Sequence, residues 1–278
     1  MKKLSFILTV LLAVLISSCS EDDSNSSGLV DQLDTDSEAA LESNFEDVDL
    51  ITEASMETLD ETDGGRSIVD RDALISCAIV EKDTVNKVIT IDFGDGCEDG
   101  NGRIRKGKII IEYNERKLVP GAYRIVTLED FFIDEVQVEG KRTITNTSSD
   151  INDNPTFTIT LDGGRLTFED ETTATRDATR IRKWVRANNP LQDEARVDGT
   201  ASGTRRDGVN YTIEILEELV YKRACRAGRI FIPVSGIKQI TWGDNVAVIN
   251  YGDGDCDNVV TITLNGETFT KTLTPRGR

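Results

Sequence analysis

From residue 67 onward the chain is written in short runs where apolar and polar residues alternate. Clear examples are 87–93 (KVITIDF), 108–113 (KIIIEY), 156–161 (TFTITL) and 259–264 (VVTITL), all rich in β-branched side chains. A period of two sends successive side chains to opposite faces of a strand. Glycine-bearing turns follow these runs at short intervals, which predicts antiparallel neighbours rather than crossover units. Leu264-Asn265-Gly266-Glu267 has the residues of a type I′ hairpin turn, where both central positions need positive φ. Leu161-Asp162-Gly163-Gly164-Arg165 and Arg206-Asp207-Gly208-Val209 read as turns in the same way. A second recurrence, Val-x-Gly, appears at Val138-Glu139-Gly140, Val197-Asp198-Gly199 and Val234-Ser235-Gly236. Glycine just inside a strand marks a bulge or a bend. The predicted fold class is all-β: a long antiparallel meander bent into a curved sheet, a sandwich or an incomplete barrel, over residues 66–278.

One helix is predicted before it. Thr35-Asp36-Ser37-Glu38 has the spacing of a capping box. Leu41, Phe45, Val48, Ile51 or Thr52, Ser55 and Leu59 then recur at helical spacing, with acids expected to fill the opposite, solvent face. Gly64-Gly65 closes this unit, residues 35–65. Its narrow apolar stripe is expected to pack on the β domain.

Two segments of the β domain resemble each other. Val88 to Cys97 (VITIDFGDGC) and Ala247 to Cys256 (AVINYGDGDC) both run strand, aromatic, Gly-Asp-Gly, cysteine. This favours an internal duplication, chance recurrence of turn residues being the alternative. Cys77, Cys97, Cys225 and Cys256 then invite the pairing of each repeat's cysteine with the one before it, Cys77 with Cys97 and Cys225 with Cys256. Each bridge would contribute about 3 kcal/mol by closing its loop. Ligation of a metal by the four thiols is the weaker alternative, since no two have a close metal-ligand spacing.

The N-terminus changes the picture from a fold to an address. Lys2 and Lys3, the apolar stretch Leu4 to Ile16 and the small residues Ser17 and Ser18 form the three zones of an export signal, residues 1–18. That stretch falls short of the roughly 20 apolar residues a membrane span needs. Ile16-Ser17-Ser18-Cys19 resembles the lipobox of bacterial lipoproteins, which implies that Cys19 is acylated, as by palmitate, and begins the mature chain. Ser20, Glu21, Asp22 and Asp23 look like the export tag of surface-exposed lipoproteins in the Bacteroidota. Together with the β-rich body, this resemblance implies a protein lipid-anchored in the outer membrane and displayed at the cell surface. The alternatives are a plain secretory signal and a linker that happens to begin with acids.

Charge sharpens the division. Residues 20–66 hold sixteen acids against one base, Arg66, whereas residues 67–278 are only about five charges negative within a chain of net charge −18. Residues 19–34 therefore read as an acidic, extended, disordered linker. A nucleic-acid partner would need a basic footprint, and the balance argues against one.

Candidate chemistry is sparse. The chain has no histidine, which excludes imidazole triads, His-ligated zinc and imidazole acid–base steps. Carboxylate pairs of the glycosidase kind remain among its 50 acids, but such a pair is defined by separation in space. Asp253, Asp255 and Asp257 stand at alternate positions of one loop, as calcium ligands do, with Asp95, Asp99 and Asn101 a looser version. Leu264 and Lys106 occupy the places of the closing glutamate, and Cys97 replaces one ligand. The Phe-Gly-Asp-Gly string also resembles a structural turn of extracellular β-sandwich repeats, and plain turn chemistry is the alternative to calcium. Finally, a strand over 180–186 would put Arg180, Arg182, Trp184 and Arg186 on one face. Guanidinium groups beside an indole suit an anionic glycan or a peptide. The alternative is a solvent-facing strand whose arginines pair with acids on neighbouring strands. The expected function is a non-enzymatic binding or adhesion module for a glycan or protein ligand, ahead of a purely structural envelope protein and a carboxylate-dependent hydrolase acting on glycans.

Overall fold

The computed structural model describes residues 35–56, 74–100, 102–228, 230 and 232–273. The export signal, Cys19 with its acidic tag, the linker, Asn101 and the Gly64-Gly65 stop all lie outside the described residues.

Alternating runs become strands of one sheet. The first are β1 (Ile79–Asp83), β2 (Val88–Asp92), β3 (Cys97–Glu98), β4 (Ile104–Tyr113) and β5 (Tyr123–Ile133). The middle of the sheet is β6 (Val136–Asn146), β7 (Thr156–Thr167), β8 (Thr173–Val185), β9 (Glu194–Thr204) and β10 (Asn210–Lys222). It ends with β11 (Ser235–Trp242), β12 (Asn245–Asp253), β13 (Val259–Leu264) and β14 (Glu267–Thr272). Apart from the short β3, which pairs with β4, order in space is order in sequence. Strand after strand pairs antiparallel with the next, and β1 and β14 do not meet. The predicted meander is therefore an open, curved sheet rather than a closed barrel.

Curvature comes from bulges. The ladder slips at Lys106/Lys108 in β4, Val126/Phe132 in β5, Glu139/Lys141 in β6 and Glu214/Leu219 in β10. Each slip bends its strand and increases the local twist. Gly199 shows the requirement: its φ is +141°, and a Cβ there would stand 2.2 Å from the Thr179 carbonyl oxygen of β8. The Asn265-Gly266 turn forms as predicted, with φ of +51° and +92° and Leu264 paired to Glu267. Arg206 to Val209 likewise joins β9 to β10. Asp162-Gly163-Gly164 corrects the sequence reading. It is a bulge inside the continuous strand β7, between Leu161 and Gly164, because residues that tolerate positive φ serve a bulge as well as a turn.

Helix α1 (Thr35–Met56) lies in the hollow of the sheet. Leu41, Phe45, Val48, Ile51 and Ser55 are buried as the stripe predicts, against Ile89, Ile91, Ile109, Ile111 and Ile133 among others. Contrary to expectation, the acids of the helix do not face solvent: no residue from 40 to 56 is exposed. A helix enclosed on several sides must find a partner for each charge it carries.

Cys77 bonds to Cys97 and Cys225 to Cys256, the favoured pairing. Among the described residues no helix is long and apolar enough to cross a membrane.

Candidate functional site

Basic side chains project into the hollow from the strands and meet the carboxylates of α1. Asp47 accepts from Arg105 of β4 at Nε and Nη2, both at 2.8 Å, and Arg105 also reaches Asp99 at 2.7 Å. Arg142 of β6 pairs with Asp49. Glu53 lies 2.7 Å from Lys117 Nζ, in the connection from β4 to β5, and 3.3 Å from Arg124 of β5. Glu42 is clamped by two arginines of β8, Arg176 at 2.9 Å and Arg180 at 2.8 Å. Arg176 is held in turn by its Nε donating to the Tyr211 hydroxyl of β10 at 3.0 Å. These four acids of α1 thus tie four strands to the helix.

The protonation balance follows from burial set against these partners. Burial pushes the Glu53 carboxyl up, but Lys117 and Arg124 overcome it and hold the group down at about 2. Burial also opposes ionisation of Glu42, and Arg180 and Arg176 more than offset it, leaving the carboxyl well below its usual range. Asp49 is the exception: burial wins and raises its carboxyl, although Arg142 and Arg182 oppose the shift. Burial likewise lowers Arg142. Burial, with Glu42 and Glu46 nearby, pushes the Tyr221 phenol well up.

Beside the helix a cavity of about 230 Å3 opens between α1 and strands β5 to β10. Asp49, Glu53, Arg142, Arg182 and Trp184 are among its polar lining residues, and Ile144, Phe157 and Ile159 are among its apolar walls. A second cavity of about 120 Å3 shares Glu42, Arg180 and Tyr221 with the first and extends toward Ile213, Ile215 and Lys238. Trp184 is fixed at its edge, where Nε1 donates to Asp193 Oδ2 at 3.2 Å, and the Asp193 carboxylate also accepts from the Ala187 amide at 2.8 Å. The guanidinium of Arg186 stacks on the indole at 4.9 Å from its centroid.

Of the four residues expected on one strand face, Arg180, Arg182 and Trp184 line the cavity. Arg186 departs from them: it lies past the end of β8, its backbone amide bonded to Asn154 Oδ1 at 3.0 Å. The alternative of a solvent-facing strand also fails, since Ile181 is on the exposed face and the arginines point to the helix. Arg180 is committed to Glu42, whereas Arg182 makes no hydrogen bond or ion pair with any described residue. Asp253, Asp255 and Asp257 sit at the end of β12 and in the turn after it, where Asp257 accepts from the Val259 amide at 3.0 Å. Asp99 is spent on Arg105. Among the described residues no group of three acids or thiols is placed to hold a metal ion.

Sequence reasoning missed Arg105, Lys117, Arg124 and Arg142. A signal for two of them existed. Arg124 and Arg142 are in phase with buried Val126 and Ile144 of their own strands, so each base falls on the inward face. No protein-family model, curated protein or solved structure is significantly similar to this chain, so the site stands on its own geometry.

Proposed function

We propose that the protein is a lipid-anchored outer-membrane lipoprotein, displayed at the cell surface, that acts as a non-enzymatic binding module with its ligand site in the cavity beside α1. The observation that carries the reading is Arg182. It is the one lining cation that makes no hydrogen bond or ion pair with a described residue, and it stands beside Trp184 in a concave, largely apolar recess. Every other basic group of that lining is occupied by a carboxylate, a carbonyl or another partner within the fold. A cation kept in such a place suits an anionic group brought by a ligand. The address rests on Cys19 and on the acids Glu21, Asp22 and Asp23 behind it.

A glycan array probed with the wild type and with Arg182→Ala and Trp184→Ala variants tests the binding reading. Any glycan or envelope partner that the wild type retains should be lost by both variants, and the absence of any bound glycan, envelope partner or small anionic ligand overturns the reading. Palmitate labelling of the wild type and a Cys19→Ala variant, with protease shaving of intact cells, tests the address. Label that persists in the variant, or a protein that resists shaving, overturns that half. A purely structural role is the second reading, favoured by the helix acids that already neutralise most of the basic face.

A further inference from the structure

We infer that the group entering the cavity is a small monocarboxylate with an apolar body, an aromatic or branched aliphatic acid whose carboxylate pairs with Arg182. This rests on the reading of the cavity as the binding site and narrows what it takes. Three features of the lining lead to it.

The first is charge. Glu42 pairs with Arg180 and Arg176, Asp49 with Arg142, and Glu53 with Lys117 and Arg124. Lys222 gives its ammonium to the Gly254 carbonyl at 2.7 Å. Among the described residues Arg182 makes no hydrogen bond or ion pair, and the carboxylates of Asp49 and Glu53 face the same space. One guanidinium without a carboxylate of its own offers one place for an anionic group. The planar guanidinium fork also matches a carboxylate in two parallel hydrogen bonds.

The second is the wall. Ile144, Phe157, Ile159 and Leu161 line the space, and Trp184, whose N–H is already given to Asp193, adds apolar surface without a free donor. A polyhydroxylated body pressed against these side chains would leave hydroxyls without partners, at about 1–3 kcal/mol for each. A ring or branched chain would gain from the same contact.

The third is size. An apolar cavity of about 150 Å3 holds a benzene ring. The 230 Å3 here therefore holds a ring with a short acid-bearing arm.

Calorimetric titration of the full-length protein with 3-phenylpropionate, its uncharged amide 3-phenylpropionamide, and glucuronate tests the assignment. The carboxylate is expected to bind about 10- to 100-fold more tightly than the amide, the range of a charge-assisted hydrogen bond. Arg182→Gln should erase that preference, and Arg182→Lys should keep part of it, because the charge remains and the fork is lost. Both variants should fold with only a small change in melting temperature, as Arg182 makes no hydrogen bond or ion pair with a described residue and acts on Asp49 and Glu53 through charge alone. Equal affinity for acid and amide, or a preference that survives Arg182→Gln, overturns the assignment. Binding of glucuronate or an arrayed acidic glycan at Arg182, without 3-phenylpropionate, overturns the ligand class and leaves the binding module standing. Failure of every probe and every arrayed glycan overturns both.

Discussion

Arg105 has no side-chain exposure, and its charge is carried by Asp47 and Asp99, with the Leu74 carbonyl oxygen at 3.4 Å from Nη1. Moving such an ion out of water costs several kcal/mol, which only well-placed partners offset. Asp47→Asn leaves that arginine with one carboxylate, and a loss of about 3 kcal/mol is expected, read as a lower urea midpoint with unchanged slope. Asp134→Asn is the contrast. Its pair with Arg103 is half exposed, so the loss should stay under about 1 kcal/mol. Titration of Glu53 and Glu42 gives a second expectation at this scale. Both carboxyls are depressed in the folded chain, so the unfolded chain takes up protons first as pH falls below the ordinary value of 4.5. Their contribution is full above that value and is lost as pH drops toward about 2. Asp49, whose carboxyl is raised, works against this trend: its contribution declines as pH rises through the raised value. Melting curves between pH 5 and 2 should show the fall, and Glu53→Gln should flatten it by about 1 kcal/mol, the pair being partly open to solvent. An unchanged slope in the variant would remove Glu53 from this account.

Among the elements, α1 and the bulged strands show where sequence patterns inform and where they stop. The stripe Leu41, Phe45, Val48 and Ile51 and the Asn265-Gly266 turn were legible because each is a local geometric requirement. The bulge at Gly163-Gly164 was read as a turn because positive φ is common to both, and only cross-strand register separates them. The acids of α1 were assigned to solvent because amphipathic patterning locates an apolar face and is silent on what covers the polar one. The Arg182 and Trp184 pair was legible as a candidate, while its uncommitted state depended on which neighbouring cations the helix had taken. Gly199→Ala tests the role of the bulges. The added Cβ meets the Thr179 carbonyl and the residue has φ of +141°, so a loss of about 3 kcal/mol is expected from steric overlap and backbone strain. Hydrogen exchange should quicken first in β8 and β9, the strands that pair at this site.

Across the whole molecule, a sheet of fourteen strands stays open at both edges, and the helix fills what a closed barrel would enclose. The two disulfides sit near the ends of this arrangement. Cys77–Cys97 ties the approach to β1 to the start of β4's neighbour β3, and Cys225–Cys256 joins the β10–β11 and β12–β13 connections. They close loops with sequence separations of 20 and 31 residues. Replacing either pair by serines should cost about 3 kcal/mol, seen as a lower melting temperature under non-reducing conditions. A melting temperature that does not respond to replacement or to reductant would show that the helix and sheet alone set stability.

Alternation, capping and turn residues determined the all-β class, the N-terminal helix and the order of the meander, because each follows from chain-local geometry or from spacing, whereas the cysteine pairing was favoured by the repeat and fixed by the fold. Tertiary structure decided that the sheet stays open, that it bends around the helix, and that the helix acids face inward to arginines of β4, β5, β6 and β8 and to Lys117. It also decided that Arg180 is spent on Glu42 while Arg182 makes no hydrogen bond or ion pair with any described residue. Those outcomes depend on which charges meet across distant strands, and Coulomb pairing in a buried space is fixed by position in three dimensions rather than by order along the chain.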